Sequence, residues 1–156
     1  MRRHTIVQGE FAVVGNPGVV ITTVLGSCVS VCLMDPVVKV GGMNHFLLDE
    51  PDGAFLPAEM HKYGIHAMEL LVNAMMSAGA ERSRLRAHLY GGANIVAGLS
   101  PIGSRNVDFA RRFLAVEGII VMHENVGGAF ARRVEFLPNE GRARCVRVTR
   151  PPEPEL

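Results

Sequence analysis

The sequence predicts an α+β domain, and three observations predict it. Short β-branched runs follow one another in two groups, punctuated by Gly, Pro and Asn. Two stretches carry apolar residues at helical spacing. The helical stretches are segregated from the strand runs instead of alternating with them. That order is the layered α+β pattern and not that of a doubly wound parallel sheet.

Each element has its own local reason. Residues 11–14 and 19–23 are β-branched runs around the turn Gly15-Asn16-Pro17-Gly18. Residues 29–34 and 38–47 form the next two strands, joined at Asp35-Pro36. Residues 49–57 are rich in Pro, Asp and Gly and read as an exposed loop. The clearest helix spans 59–78, where Ile65, Met68, Leu71, Val72, Met75 and Met76 recur at three- and four-residue steps and Gly79 supplies the stop. Residues 84–90 form a short strand running into Gly91-Gly92-Ala93-Asn94. A second helix spans 107–117, with Asn106 as N-cap and Gly118 as terminator. Residues 119–125, 131–137 and 142–149 are three further strands, the last two joined through Asn139-Glu140-Gly141. Residues 1–150 form a single domain, and the Pro-rich 151–156 is a disordered tail.

Composition narrows the function. The 156 residues carry 16 basic against 15 acidic side chains, a net charge of +1. That balance gives no support for nucleic acid or anionic membrane as the main partner. The chain has 3 cysteines, an odd number without disulfide-framework spacing. No apolar run reaches signal-peptide or transmembrane length, so the expected location is the cytoplasm, with free thiols and no membrane insertion. No second Cys/His pair stands at zinc spacing beside Cys28 and Cys32, so no metal is expected. Gly91-Gly92 and Gly127-Gly128 lack the residues of a phosphate-binding fingerprint and read as backbone turns, so no cofactor is expected.

One pair of residues points to covalent chemistry. Cys28 sits on a Gly26-Ser27 turn between two β-branched runs, and His45 closes the next apolar run after Gly41-Gly42-Met43-Asn44. A thiol on a tight turn and an imidazole on the neighbouring strand are the parts of a thiolate nucleophile and its base. Gly26 and Ser27 keep bulk away from the sulfur and leave backbone N–H groups beside it for a developing oxyanion. Thr22 lies on the strand entering the turn, placed to hydrogen-bond one imidazole nitrogen and fix its tautomer. Cys32, on the same strand face as Cys28, and Cys145, in an alternating strand, read as core. His61, His66, His88 and His123 have no motif around them and read as surface or packing.

With those residues in view, the chain resembles the CheD family of chemoreceptor glutamine deamidases. The resemblance runs through Thr-Val-Leu-Gly-Ser-Cys-Val-Ser-Val-Cys-Leu at 23–33, Gly-Gly-Met-Asn-His-Phe at 41–46, Lys-Tyr-Gly at 62–64 and Gly-Ala-Glu-Arg at 79–82. It continues through Gly-Gly-Ala-Asn at 91–94, Ile-Gly-Ser-Arg-Asn at 102–106 and Gly-Gly-Ala-Phe-Ala-Arg-Arg-Val at 127–134. It implies a three-layer α/β/β sandwich of mostly antiparallel strands with two main helices. It implies a protein-glutamine glutaminase that hydrolyses the side-chain amide of selected glutamines on the cytoplasmic helices of methyl-accepting chemoreceptors. The site it implies is Cys28, His45 and Thr22, working through a thioester without a cofactor. Thr23 adjoins Thr22, and the transfer leaves the choice between the two threonines open. The resemblance also implies binding to a CheC-type phosphatase. The competing reading is a non-catalytic chemotaxis adaptor whose Cys and His are core.

Overall fold

The computed structural model describes residues 1–48, 57–94 and 101–148. The predicted loop at 49–57, apart from Pro57, and the predicted tail at 151–156 lie outside these residues. The strands are β1 (Arg2–Thr5), β2 (Phe11–Val14), β3 (Val19–Leu25), β4 (Val29–Asp35), β5 (Val40–Asn44), β6 (Arg86–Gly91), β7 (Ile120–Val126), β8 (Arg132–Leu137) and β9 (Arg142–Arg147). The helices are α1 (Pro57–Ser77) and α2 (Ile102–Val116). No helix among the described residues is long and apolar enough to cross a membrane.

The strands form two sheets, in the orders β1-β3-β8-β9 and β2-β5-β4-β6-β7. Pairings β1–β3 and β6–β7 are parallel, and the others are antiparallel. Both helices cover one face of the five-stranded sheet, whose other face packs on the four-stranded sheet. The result is the α/β/β layering that the sequence implied. β4 shows why: it is buried along its whole length. Val29, Val31 and Leu33 join the helix-side core with Met68, Leu71 and Leu114. Cys32 and Met34 join the inter-sheet core with Ile21, Leu25, Val134 and Phe136. A strand covered on both faces reads as a continuous apolar run, without polar alternation.

Three details depart from the sequence reading. β1 is an additional edge strand whose side chains are all exposed, so it carries no apolar alternation, and its backbone ladder to β3 holds it. The turn after β2 leads from one sheet to the other: β2 pairs with β5, and β3 with β1 and β8. Helix α2 starts at Ile102, so Asn106 is not its N-cap. Asn106 is fully buried inside the helix, and tertiary partners take up its side chain.

Candidate active site

The site lies where the two sheets face each other. On β3, Ile21 and Leu25 belong to the inter-sheet core. Strand side chains alternate faces, so Thr23, between those two, also looks inward. Thr22 looks outward with Val20 and Val24, and Val24 is 51% exposed. The same parity applies across the gap. Cys28 and Cys32 share the inward face of the five-stranded sheet, as do Met43 and His45.

The hydroxyl that meets His45 therefore belongs to Thr23 and not to Thr22. Thr23 Oγ1 lies 2.7 Å from His45 Nδ1. The same hydroxyl donates to the Ile6 carbonyl at 2.7 Å. The pleat gives the physical reason: one step along a strand reverses the side-chain direction. Thr22 contributes through its backbone, since its carbonyl accepts the Ile6 N–H at 3.0 Å. These contacts settle the tautomer. A hydroxyl has one proton, and a carbonyl has none. With that proton on Ile6, the contact to His45 requires Nδ1–H as donor. Nε2 is then the basic nitrogen.

Local backbone geometry frees His45 for this role. In regular antiparallel alternation the Val31 N–H would bond the Asn44 carbonyl. Here it bonds Asn44 Oδ1 at 2.9 Å. The backbone of His45 turns instead to the segment before β2: its N–H donates to Glu10 and its carbonyl accepts from Gly9. The chain rejoins β4 at a bridge between Phe46 and Val29. That register puts Ser30 opposite His45 and makes Cys28 its diagonal neighbour. Such diagonal positions are roughly 7–8 Å apart, within reach of a ring side chain. Cys28 Sγ itself contacts Gln8 Oε1 at 3.8 Å, and no hydrogen bond joins it to His45 among the described residues.

The turn bearing Cys28 has its carbonyls fixed on one side. Gly26 O accepts from Ala93 N–H at 3.0 Å, and Cys28 O accepts from Gly92 N–H at 2.8 Å. Ser27 O accepts from Asn106 Nδ2 at 2.8 Å. In a trans peptide the carbonyl and the next N–H point in opposite directions. The N–H groups of Ser27 and Cys28 are thereby turned away from these partners: the Ser27 N–H meets no backbone acceptor among the described residues, and the Cys28 N–H lies on the side of its own sulfur. The Gly91-Gly92-Ala93 segment is a backbone clamp on the turn. A Cβ on Gly91 would lie 2.3 Å from the Cys28 carbonyl oxygen, and its φ is +105°.

Burial opposes charge on both members of the pair. Burial pushes the Cys28 thiol up to about 11, against a smaller pull from its own backbone N–H. Burial brings His45 down to about 4, against the Glu10 carboxylate, which favours the charged ring. The inter-sheet position desolvates both groups, which favours the neutral thiol and imidazole over the charged pair at rest. Cys32 is fully buried and Cys145 half-buried in the inter-sheet core, as read from the sequence. A depression of about 240 Å³ adjoins the site, lined by Glu10, Phe11, His45, Tyr63, His66 and Leu70 among others. The sequence reading did not single out Gln8, the Ile6 carbonyl or the tertiary bonds of Asn106. Only the last sits in a quoted block, at the end of Ile-Gly-Ser-Arg-Asn.

Comparison with known proteins places the chain in a family. A family model described as CheD chemotactic sensory transduction matches residues 50–147. A Zymomonas mobilis protein named probable chemoreceptor glutamine deamidase CheD is 52% identical over 148 residues, covering 94% of this chain and 81% of that one. A Sinorhizobium medicae protein of the same name is 49% identical over 151 residues, covering 95% and 81%. The crystal structure of Bacillus licheniformis hypothetical protein YfiH superposes with a TM-score of 0.52 at 14% identity, over 80% of this chain and 59% of that one, and shares the fold alone. Half-identical relatives along nearly the whole length, together with the family match, place the chain in the CheD family.

Proposed function

We propose that this protein is a protein-glutamine deamidase acting on methyl-accepting chemoreceptors in the cytoplasm. The relatives' names supply the substrate class. The observation that carries the chemistry is the hydroxyl shared by Ile6 and His45, which leaves Nε2 of a neutral imidazole as the base.

A carboxamide entering between Cys28 and His45 is attacked at carbon by Sγ, while Nε2 takes the thiol proton. The carbonyl electron pair moves to oxygen, and the N–H groups of Ser27 and Cys28 receive that oxyanion. The imidazolium returns its proton to nitrogen as the C–N bond breaks, and ammonia leaves. The thioester is then cleaved by water, with Nε2 taking the water proton and passing it to sulfur. The products are a glutamate side chain and the original thiol. Thr23 holds the ring through both half-reactions, and no step draws on a cofactor.

The test is a mass comparison of a receptor cytoplasmic fragment incubated with the protein. Each converted glutamine adds about 1 Da, since NH₂ is replaced by OH in the amide hydrolysis. Conversion is expected with the wild type and is lost in Cys28→Ala and His45→Ala at unchanged fold. Conversion retained in Cys28→Ala overturns the mechanism. An unmodified receptor fragment that still binds the wild type supports the adaptor reading instead.

A further inference from the structure

Helix α2 contributes a residue that bonds the turn before Cys28 and the segment after His45. Asn106 is 0% exposed in the second turn of the helix, where a polar side chain is costly unless its groups are paired. Both ends are paired, and both partners are backbone groups of the candidate site's own segments. Nδ2 donates to the Ser27 carbonyl at 2.8 Å. Oδ1 accepts the Leu48 N–H at 3.0 Å, on the segment that follows His45.

The first bond has a geometric consequence. The Ser27 carbonyl and the Cys28 N–H belong to one planar peptide unit, so fixing one direction fixes the other. The helix is itself tightly seated. A Cβ on Gly103 would lie 2.3 Å from the carbonyl oxygens of both Gly92 and Ala93, the segment that clamps Gly26 and Cys28. We infer that Asn106 is a positioning residue, which aims the Cys28 N–H at the oxyanion formed when Cys28 is acylated and ties that turn to the strand carrying His45. The inference rests on the thiol-acylation reading above. The expected loss follows from known donors of this kind, whose removal slows reaction by about 100-fold or more, with misaiming costing about tenfold.

The test compares two reactions of Cys28. With p-nitrophenyl acetate, the thiolate forms an S–C bond through an oxyanionic intermediate and p-nitrophenolate leaves. With iodoacetamide, the thiolate displaces iodide in one step and no oxyanion forms. The rate remaining in Cys28→Ala is subtracted in both cases. In Asn106→Ala the acylation rate is expected to fall about tenfold, with alkylation within about threefold of wild type. Asn106→Asp keeps the size and the acceptor, and its ionised carboxylate cannot donate to Ser27. Its acylation-to-alkylation ratio is expected to fall as pH rises, which loosened packing alone would not produce. Two rates falling together, or a ratio equal to wild type in both variants, overturns the inference. Receptor deamidation is measured on the wild type in parallel. Its absence alongside a fallen ratio removes the substrate reading and leaves the positioning role standing. Its presence alongside an unchanged ratio does the reverse.

Discussion

Thr23 and His45 reach each other across the gap between two sheets, at 2.7 Å, through a hydroxyl whose only proton is committed to Ile6. The imidazole is therefore held in one tautomer by a neutral partner. Replacing Thr23 by Val removes that acceptor. We expect kcat to fall about 10- to 100-fold, within the range that acid–base machinery contributes. Thr23→Ser keeps the oxygen and retains most of the activity. Thr22→Val, on the outer face, stays within about twofold of wild type, because no proton transfer passes through it. Steady-state ammonia release distinguishes the three.

Acid stability follows from the buried ring. The ordinary value for His45 is 6.5, and the folded value lies at about 4. Between those values the unfolded chain binds more protons than the folded one, so stability falls as pH falls. The contribution is fully present above pH 6.5 and is lost as pH drops through 4. The expected loss is about 1–3 kcal/mol, allowing for partial solvent access. Urea denaturation between pH 4 and 7 measures it, and in His45→Ala the slope flattens over that window.

Cys28 reactivity separates a neutral pair from a preformed ion pair. With its thiol near 11, simple alkylation should rise about tenfold per pH unit between 7 and 10. Deamidation should behave differently. The neutral pair and the thiolate–imidazolium pair hold the same number of protons, so kcat/KM is level between the two macroscopic values. A level alkylation rate across that range contradicts the neutral resting state.

The clamp beneath the nucleophile turn is testable at Gly91. A side chain there meets the Cys28 carbonyl at 2.3 Å on a left-handed backbone. Gly91→Ala is expected to cost about 1–3 kcal/mol in thermal or urea unfolding and to lower the acylation rate of Cys28. A variant of unchanged stability and rate would remove the clamp from the account.

Much of this was legible in the linear order, and the remainder was hidden for definable reasons. The α+β class follows from segregated periods, and β4 announces itself because both of its faces are covered. Cys28 stands out by its Gly-Ser turn, and His45 by the apolar run it closes. Thr23 does not, because Val19, Val20 and Ile21 are all buried and local hydropathy cannot say which face of β3 looks inward. That phase is set by the opposing sheet. Asn106 resembles an N-cap, since its partners, Ser27 and Leu48, are distant in sequence. β1 gives no apolar signal because its side chains stay in water.

The gap between the sheets also divides the site. Imidazole and hydroxyl ride on separate layers, so neither layer alone assembles the base. Each layer holds one half of the contact: Thr23 stands on β3 of the four-stranded sheet, and His45 follows β5 of the five-stranded one. Any shift of one sheet against the other therefore lengthens the Thr23–His45 contact directly, and the seating of the two layers is itself part of the catalytic geometry.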